Sequence, residues 1–270
     1  MKKIEAVMLM ACAASMVVTG CTVKGSQEKT GVMSKENVEE NVREFVYPLP
    51  TAFEVTEMLN RIDAAYILDI CNAKDNVDKY VTEAKRAMNM GVYSADLCYA
   101  STYNQQANVM EYTQTIRGLV DALDMTQAVD PELATKMEDN ENNKEAMTEL
   151  ISNSFYDSYD YLNKHSRGPV SLMIVAGSWV EGLYIATHIS DDTFDNKEMV
   201  KILLSQKEPL EKLVGLLDQN LGDSNIKELR ALLEPLNAIY SKTDANSITE
   251  ESMQAIKREA DVVRGVIVKP

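Results

Sequence analysis

A chain of 270 residues with 45% apolar side chains has length for one large domain or two small ones, and for an ample core. Lys and Arg number 27 against 42 Asp and Glu, a formal net charge of −15. That balance excludes nucleic acid as a partner and electrostatic attraction to anionic lipid, because no basic patch is available to meet phosphates.

The N-terminus carries the most specific signal. Lys2 and Lys3 precede a short apolar segment, 6–18, which is too short to cross a bilayer as a stable helix and has the layout of a secretory signal. It ends in Val18-Thr19-Gly20-Cys21, which resembles a bacterial lipobox. The resemblance implies that residues 1–20 are a lipoprotein signal peptide and that Cys21 is the lipid-attachment residue. At about 0.8 kcal/mol per buried CH₂, two or three acyl chains would hold the protein firmly on a membrane. The pattern as a whole resembles uncharacterised all-helical lipoproteins of Gram-negative envelopes. In that group Thr22, rather than Asp, after the cysteine implies the outer membrane, periplasmic or surface-facing.

Residues 21–36 are polar and small and read as a flexible tether. A short amphipathic helix is expected next, since Val38, Val42, Phe45 and Val46 recur at helical spacing, and Pro48 and Pro50 end it. The remainder, 37–270, reads as one all-helical domain, with the polar run 138–145 as the place of a possible subdivision. Thr51 to Glu54 matches a capping box opening a helix that runs to Asn72, with Val55, Leu59, Ile62 and Tyr66 on one stripe. Asp75 is expected to open a second helix that Gly91 closes as a left-handed cap. Helix then continues from Tyr93 to Asp124, broken near Asn104, and Asp130-Pro131 marks another start. The next helix ends near Gly168, and Pro169 begins the most apolar run of the mature chain, 169–190.

Beyond it, Asp195 and Glu198 form a capping pair, Pro209 restarts or kinks a helix, and Gly222 is expected to cap one. Pro235 kinks the next helix, and Ser247 to Glu250 opens the last as a capping box. The only hint of a strand, 266–268, is short enough for that helix to absorb. The pattern predicts an all-α fold, an antiparallel helical bundle or stacked helix pairs of about ten helices around a buried central helix, 169–190. No repeat of about 34 residues recurs, which argues against a tetratricopeptide array.

Two constellations are candidates for function. The central run holds the only Trp, Trp179, and places Gly177, Glu181, Tyr184 and His188 on one face. Glu181 and His188 lie about 10 Å apart along the axis, too far to share one metal ion without further ligands. Glu181 is therefore weighed first as a buried hydrogen-bonding group and His188 as a C-terminal cap, with ligand binding beside them. The second constellation is Asp96, Tyr99 and Tyr103, the residue types a sugar or other small polar ligand favours, though Tyr also packs ordinary helices.

No metal-ligand spacing occurs, no cofactor is implied, and the GxSxG, HExxH and GxGxxG motifs are absent. Ser224 to Lys227 matches SxxK but coincides with a helix start. Cys12 leaves with the signal and Cys21 is acylated, so Cys71 and Cys98 remain; export permits a disulfide, but their apolar helical surroundings suit buried thiols. The sequence thus reads as a membrane-anchored, non-enzymatic ligand-binding or protein-interaction module of the cell envelope. Its partner would be a small polar ligand or an envelope protein. The alternative is a cryptic hydrolase of glycans or peptides using carboxylates near Glu181 or Asp96.

Overall fold

A computed structural model describes residues 52–189, 196–244 and 247–270. The expected signal peptide, lipobox and tether, the helix expected at 38–46, Thr51 and Asp195 lie outside them. The described residues form ten α-helices, with no strand among them. They are α1 (Ala52–Arg61), α2 (Glu83–Thr102), α3 (Gln106–Ala122), α4 (Leu133–Asp139) and α5 (Lys144–Lys164). The second half supplies α6 (Gly168–His188), α7 (Lys197–Ser205), α8 (Lys207–Gln219), α9 (Ser224–Tyr240) and α10 (Glu250–Val268).

The architecture follows from α6. Every residue from Val170 to Leu183 is buried, so this helix has no face for water. It packs against α1, α2, α5, α7, α8, α9 and α10. It is also the one described helix long and apolar enough to cross a membrane, yet 89% of its most apolar stretch is enclosed by protein. Enclosure and hydropathy are the same fact here: a helix surrounded by helices must be apolar all round.

The closest approach is between α2 and α6. A Cβ added at Gly91 would lie 2.0 Å from the Ile174 carbonyl oxygen, and one at Gly177 would lie 1.9 Å from that of Met88. Backbone meets backbone at this crossing, and only glycine leaves room on either side. This corrects the reading of Gly91 as a helix end, because α2 runs straight through it. Glycine has no positive φ anywhere among the described residues. The left-handed positions are Asp63 (φ 55°), Asn104 (55°), Asp124 (53°) and Ser166 (60°), short polar residues at the ends of α1, α2, α3 and α5. Their side chains tolerate that conformation at modest cost. Gly222 is likewise no left-handed cap, since α8 ends at Gln219.

Other boundaries shift for local reasons. The helix expected to reach Asn72 stops at Arg61, and the one expected from Asp75 is a 3₁₀ turn, Lys74–Lys79. True helix resumes after Thr82, whose side chain accepts the Lys85 amide. The last helix is capped by Thr249 and Ser252, two residues beyond the predicted box. The chain between α1 and α2 is therefore irregular, and its polar groups are satisfied from α2, where Tyr99 and Asp96 reach it. Pro235 sits inside a continuous α9, and 266–268 belongs to α10.

Candidate functional site

The face of α6 singled out by its sequence meets α10. Glu181 is fully buried and held in two parallel bonds by Arg264, Nε donating to Oε2 at 2.7 Å and Nη2 to Oε1 at 2.8 Å. Nη2 also donates to the Ile70 carbonyl at 3.0 Å, and the guanidinium lies 4.0 Å from the centroid of the Tyr184 ring. One turn on, His188 stacks on Tyr184 at 4.0 Å, and its Nε2 lies 2.9 Å from Oδ1 of Asp261. Burial lowers the His188 pKa, opposed by the Tyr184 carbonyl and by Asp261. Glu181, Tyr184 and His188 thus form a polar seam between two helices. His188 Nδ1 lies 2.8 Å from the Tyr184 carbonyl oxygen near the helix end, the capping geometry expected of it.

One member of the second constellation, Asp96, joins this seam. Asp96 is also fully buried, beside Glu181, and its Oδ2 accepts the Asn72 amide at 3.1 Å. Oδ1 has no donor aimed at it. Burial, and then the neighbouring Glu181 charge, push the Asp96 carboxyl well above the usual carboxylate range. Burial also raises Glu181, but Arg264 opposes that shift, and a bond from Asp96 lowers it further. The opposite forces on the two carboxyls fit a protonated Asp96 beside a Glu181 kept ionised by Arg264. Burial and then Asp96 likewise push up the Cys71 thiol. No disulfide joins Cys71 to Cys98.

Tyr99 and Tyr103 are brought next to Tyr66 instead, in a ring cluster with centroids 4.6 to 5.7 Å apart. The Tyr99 hydroxyl accepts the Ile67 amide at 2.8 Å and donates to the Ala65 carbonyl at 3.2 Å, pinning the irregular segment onto α2. The Tyr103 hydroxyl is buried without a partner, and burial pushes its pKa up to about 12.

Trp179 points to a different place. On the far side of α2 and α6 a cavity of about 250 Å³ lies between α3, α4 and α5. Trp179, Ile174, Leu97, Met137, Phe155 and Tyr159 supply much of its mainly apolar wall, and exposed Arg117, Asp121 and Asp130 stand where it opens. Trp179 is 4% exposed, and its Nε1–H has no acceptor. The lining of a second recess of about 470 Å³ includes the Lys74–Glu111 pair and Arg86, whose Nε donates to the Tyr80 carbonyl. Neither Glu181 nor Asp96 lines either space. Among the described residues no three His, Cys, Asp or Glu side chains gather in a way that could hold a metal ion.

Sequence reasoning missed Arg264 and the cavity. Arg264 was legible in principle: Ala260, Arg264 and Ile267 are four and three apart, so a lone Arg stands at core spacing in α10. The cavity was not, because its walls come from six helices whose apolar stripes look like ordinary core.

The fold defines an all-helical protein built round an enclosed helix, with a small apolar cavity beside it. Compared with known proteins, the chain matches no family model, no curated protein and no solved structure.

Proposed function

We propose that this chain is a non-enzymatic binding module of the cell envelope, held at the outer membrane by a lipid on Cys21, that takes a small apolar ligand into the cavity beside Trp179. The observation that carries the binding reading is the cavity itself, a mainly apolar space of about 250 Å³ walled in part by Trp179, Ile174, Leu97, Met137 and Phe155. Ligand sites are mostly apolar concavities of about 300 Å³ or more with few polar groups, and this cavity lies just below that range. Such a ligand differs from the polar one suggested by the sequence. The anchor rests on Lys2, Lys3 and the run ending at Cys21.

The hydrolase alternative is the weaker reading. Its carboxylates must meet a substrate, whereas Glu181 and Asp96 are fully buried and committed to Arg264, Asn72 and each other.

Because Trp179 is the only tryptophan, fluorescence excited selectively in tryptophan, away from the 12 tyrosines, reports on the cavity wall. Titration of the full chain with N-phenyl-1-naphthylamine, an uncharged apolar probe, should quench it saturably with a single site. Filling the cavity by Ser158→Phe should abolish the effect. A linear, unsaturable response, unchanged in the variant, would remove the binding reading. In cells Cys21→Ala should move the protein out of the membrane fraction; unaltered partitioning would remove the anchor.

A further inference from the structure

Leu97, Met137, Ile174 and Trp179 line the cavity, yet each is only 2 to 5% exposed. A ligand that is to lie against them needs a wall to give way. Most of the walls cannot. α2 and α6 meet backbone to backbone at Gly91 and Gly177, α3 lies along α2, and α5 packs on both α2 and α6. α4 differs. It packs chiefly on α5, and between Ala128 and Met147 a single residue, Met137, is buried. The Met137 sulfur lies 3.9 Å from the Thr113 hydroxyl on α3. Leu133 and Ala134 also line the cavity, whereas Thr135, Glu138 and Asp139 are exposed. The Asp130–Lys136 pair lies within the segment and moves with it, and the Gln106 side chain ties the far end by donating to the Glu141 carbonyl. α4 has only seven residues, and a helix shorter than about 12 is marginal alone in water, so it keeps its form by resting on the cavity.

We propose that α4 is a lid on the cavity, which swings out on 129–132 and 140–143 to admit an apolar ligand and closes over it with Leu133, Ala134 and Met137. Met137 is the latch, the one buried side chain that must leave its place for the lid to open. A ligand inside adds apolar contact to the closed form alone, so binding holds the lid down. The gating rests on the binding reading above, while the mobility of α4 can be measured without any ligand.

Hydrogen exchange of the full chain is the first test and needs no variant. Amides of 136–139 should exchange at least about tenfold faster than those in the middle of α3 and α5, because α4 opens while the body stays folded. N-phenyl-1-naphthylamine at about ten times its Kd should slow them about tenfold. After rapid mixing with the same probe, the rate of Trp179 quenching should level off with concentration, at the rate of lid opening. Met137→Ala should raise that plateau at least about threefold by loosening the latch, whereas Ile174→Val in the fixed wall of α6 should leave it unchanged. Amides of α4 as slow as those of α5, a quenching rate that climbs linearly to the mixing limit, or a plateau indifferent to Met137→Ala would overturn the lid. Fast exchange of α4 without any naphthylamine binding would defeat the binding reading and the gating with it, leaving α4 only a mobile wall.

Discussion

Glu181 shows how a residue can be legible in a sequence while its explanation is not. A lone carboxylate in the most apolar run of the chain announces a partner, but that partner, Arg264, lies 83 residues away. The same distance hid the union of Asp96 with Glu181, which read as two sites because they stand on different helices. The bidentate pair is worth little against a well-packed apolar substitute, but removing one member strands the other in a medium that cannot solvate it. Arg264→Leu should therefore cost about 3–5 kcal/mol in urea-induced unfolding. Glu181→Leu combined with Arg264→Leu should recover most of that loss. A double variant no more stable than the single one would mean that Arg264 acts mainly through the Ile70 carbonyl and the Tyr184 ring rather than through Glu181.

At the scale of elements, the helices were legible where periodicity is strong and caps are chemical. α6 stood out because an all-round apolar helix has no other place than the centre. Asn104 broke α2 from α3 as its position suggested. The misreadings cluster at glycines and at 62–82. A glycine in a helical pattern has two meanings, end or close approach, and only a neighbouring helix decides between them. For Gly91 and Gly177 the neighbour is the backbone of the other helix, which cannot rotate aside as a side chain can.

Gly91→Ala and Gly177→Ala should each destabilise by about 1–3 kcal/mol or more, by forcing α2 and α6 apart. Gly118→Ala in α3 and Gly215→Ala in α8 meet nothing within 4 Å and should instead gain about 0.5–1 kcal/mol from helix propensity. Thermal unfolding of the four variants checks this contrast, and equal effects at all four would refute the close-approach account. The segment 62–82 failed for another reason: its apolar residues recur at helical spacing, but tertiary bonds to Tyr99 and Asp96 hold the backbone in turns.

For the whole molecule, the buried acid cluster and the surface charge act in the same direction. With Asp96 raised well above 3.8 in the folded state, the native protein binds a proton that the unfolded chain releases near that value. Unfolding then releases protons, so stability must fall as pH rises from about 4 through the folded pKa. Glu181, raised from 4.5, adds to this trend, and the two titrate as a pair. An excess of 42 acidic over 27 basic groups reinforces it through self-repulsion. His188, lowered from 6.5 by burial, opposes it, as do the exposed pairs that lower Asp130 and Glu234, though water and salt screen those pairs.

The protein should therefore melt at a higher temperature at pH 5 than at pH 8. Asp96→Asn separates the local cause from the global one. Its amide keeps the shape and can donate to Glu181 at every pH, so the variant should match the parent at pH 5 and exceed it at pH 8, with a flatter slope between. If both proteins lose the same number of degrees from pH 5 to pH 8, the trend belongs to surface repulsion and Asp96 is not the proton-holding member of the cluster.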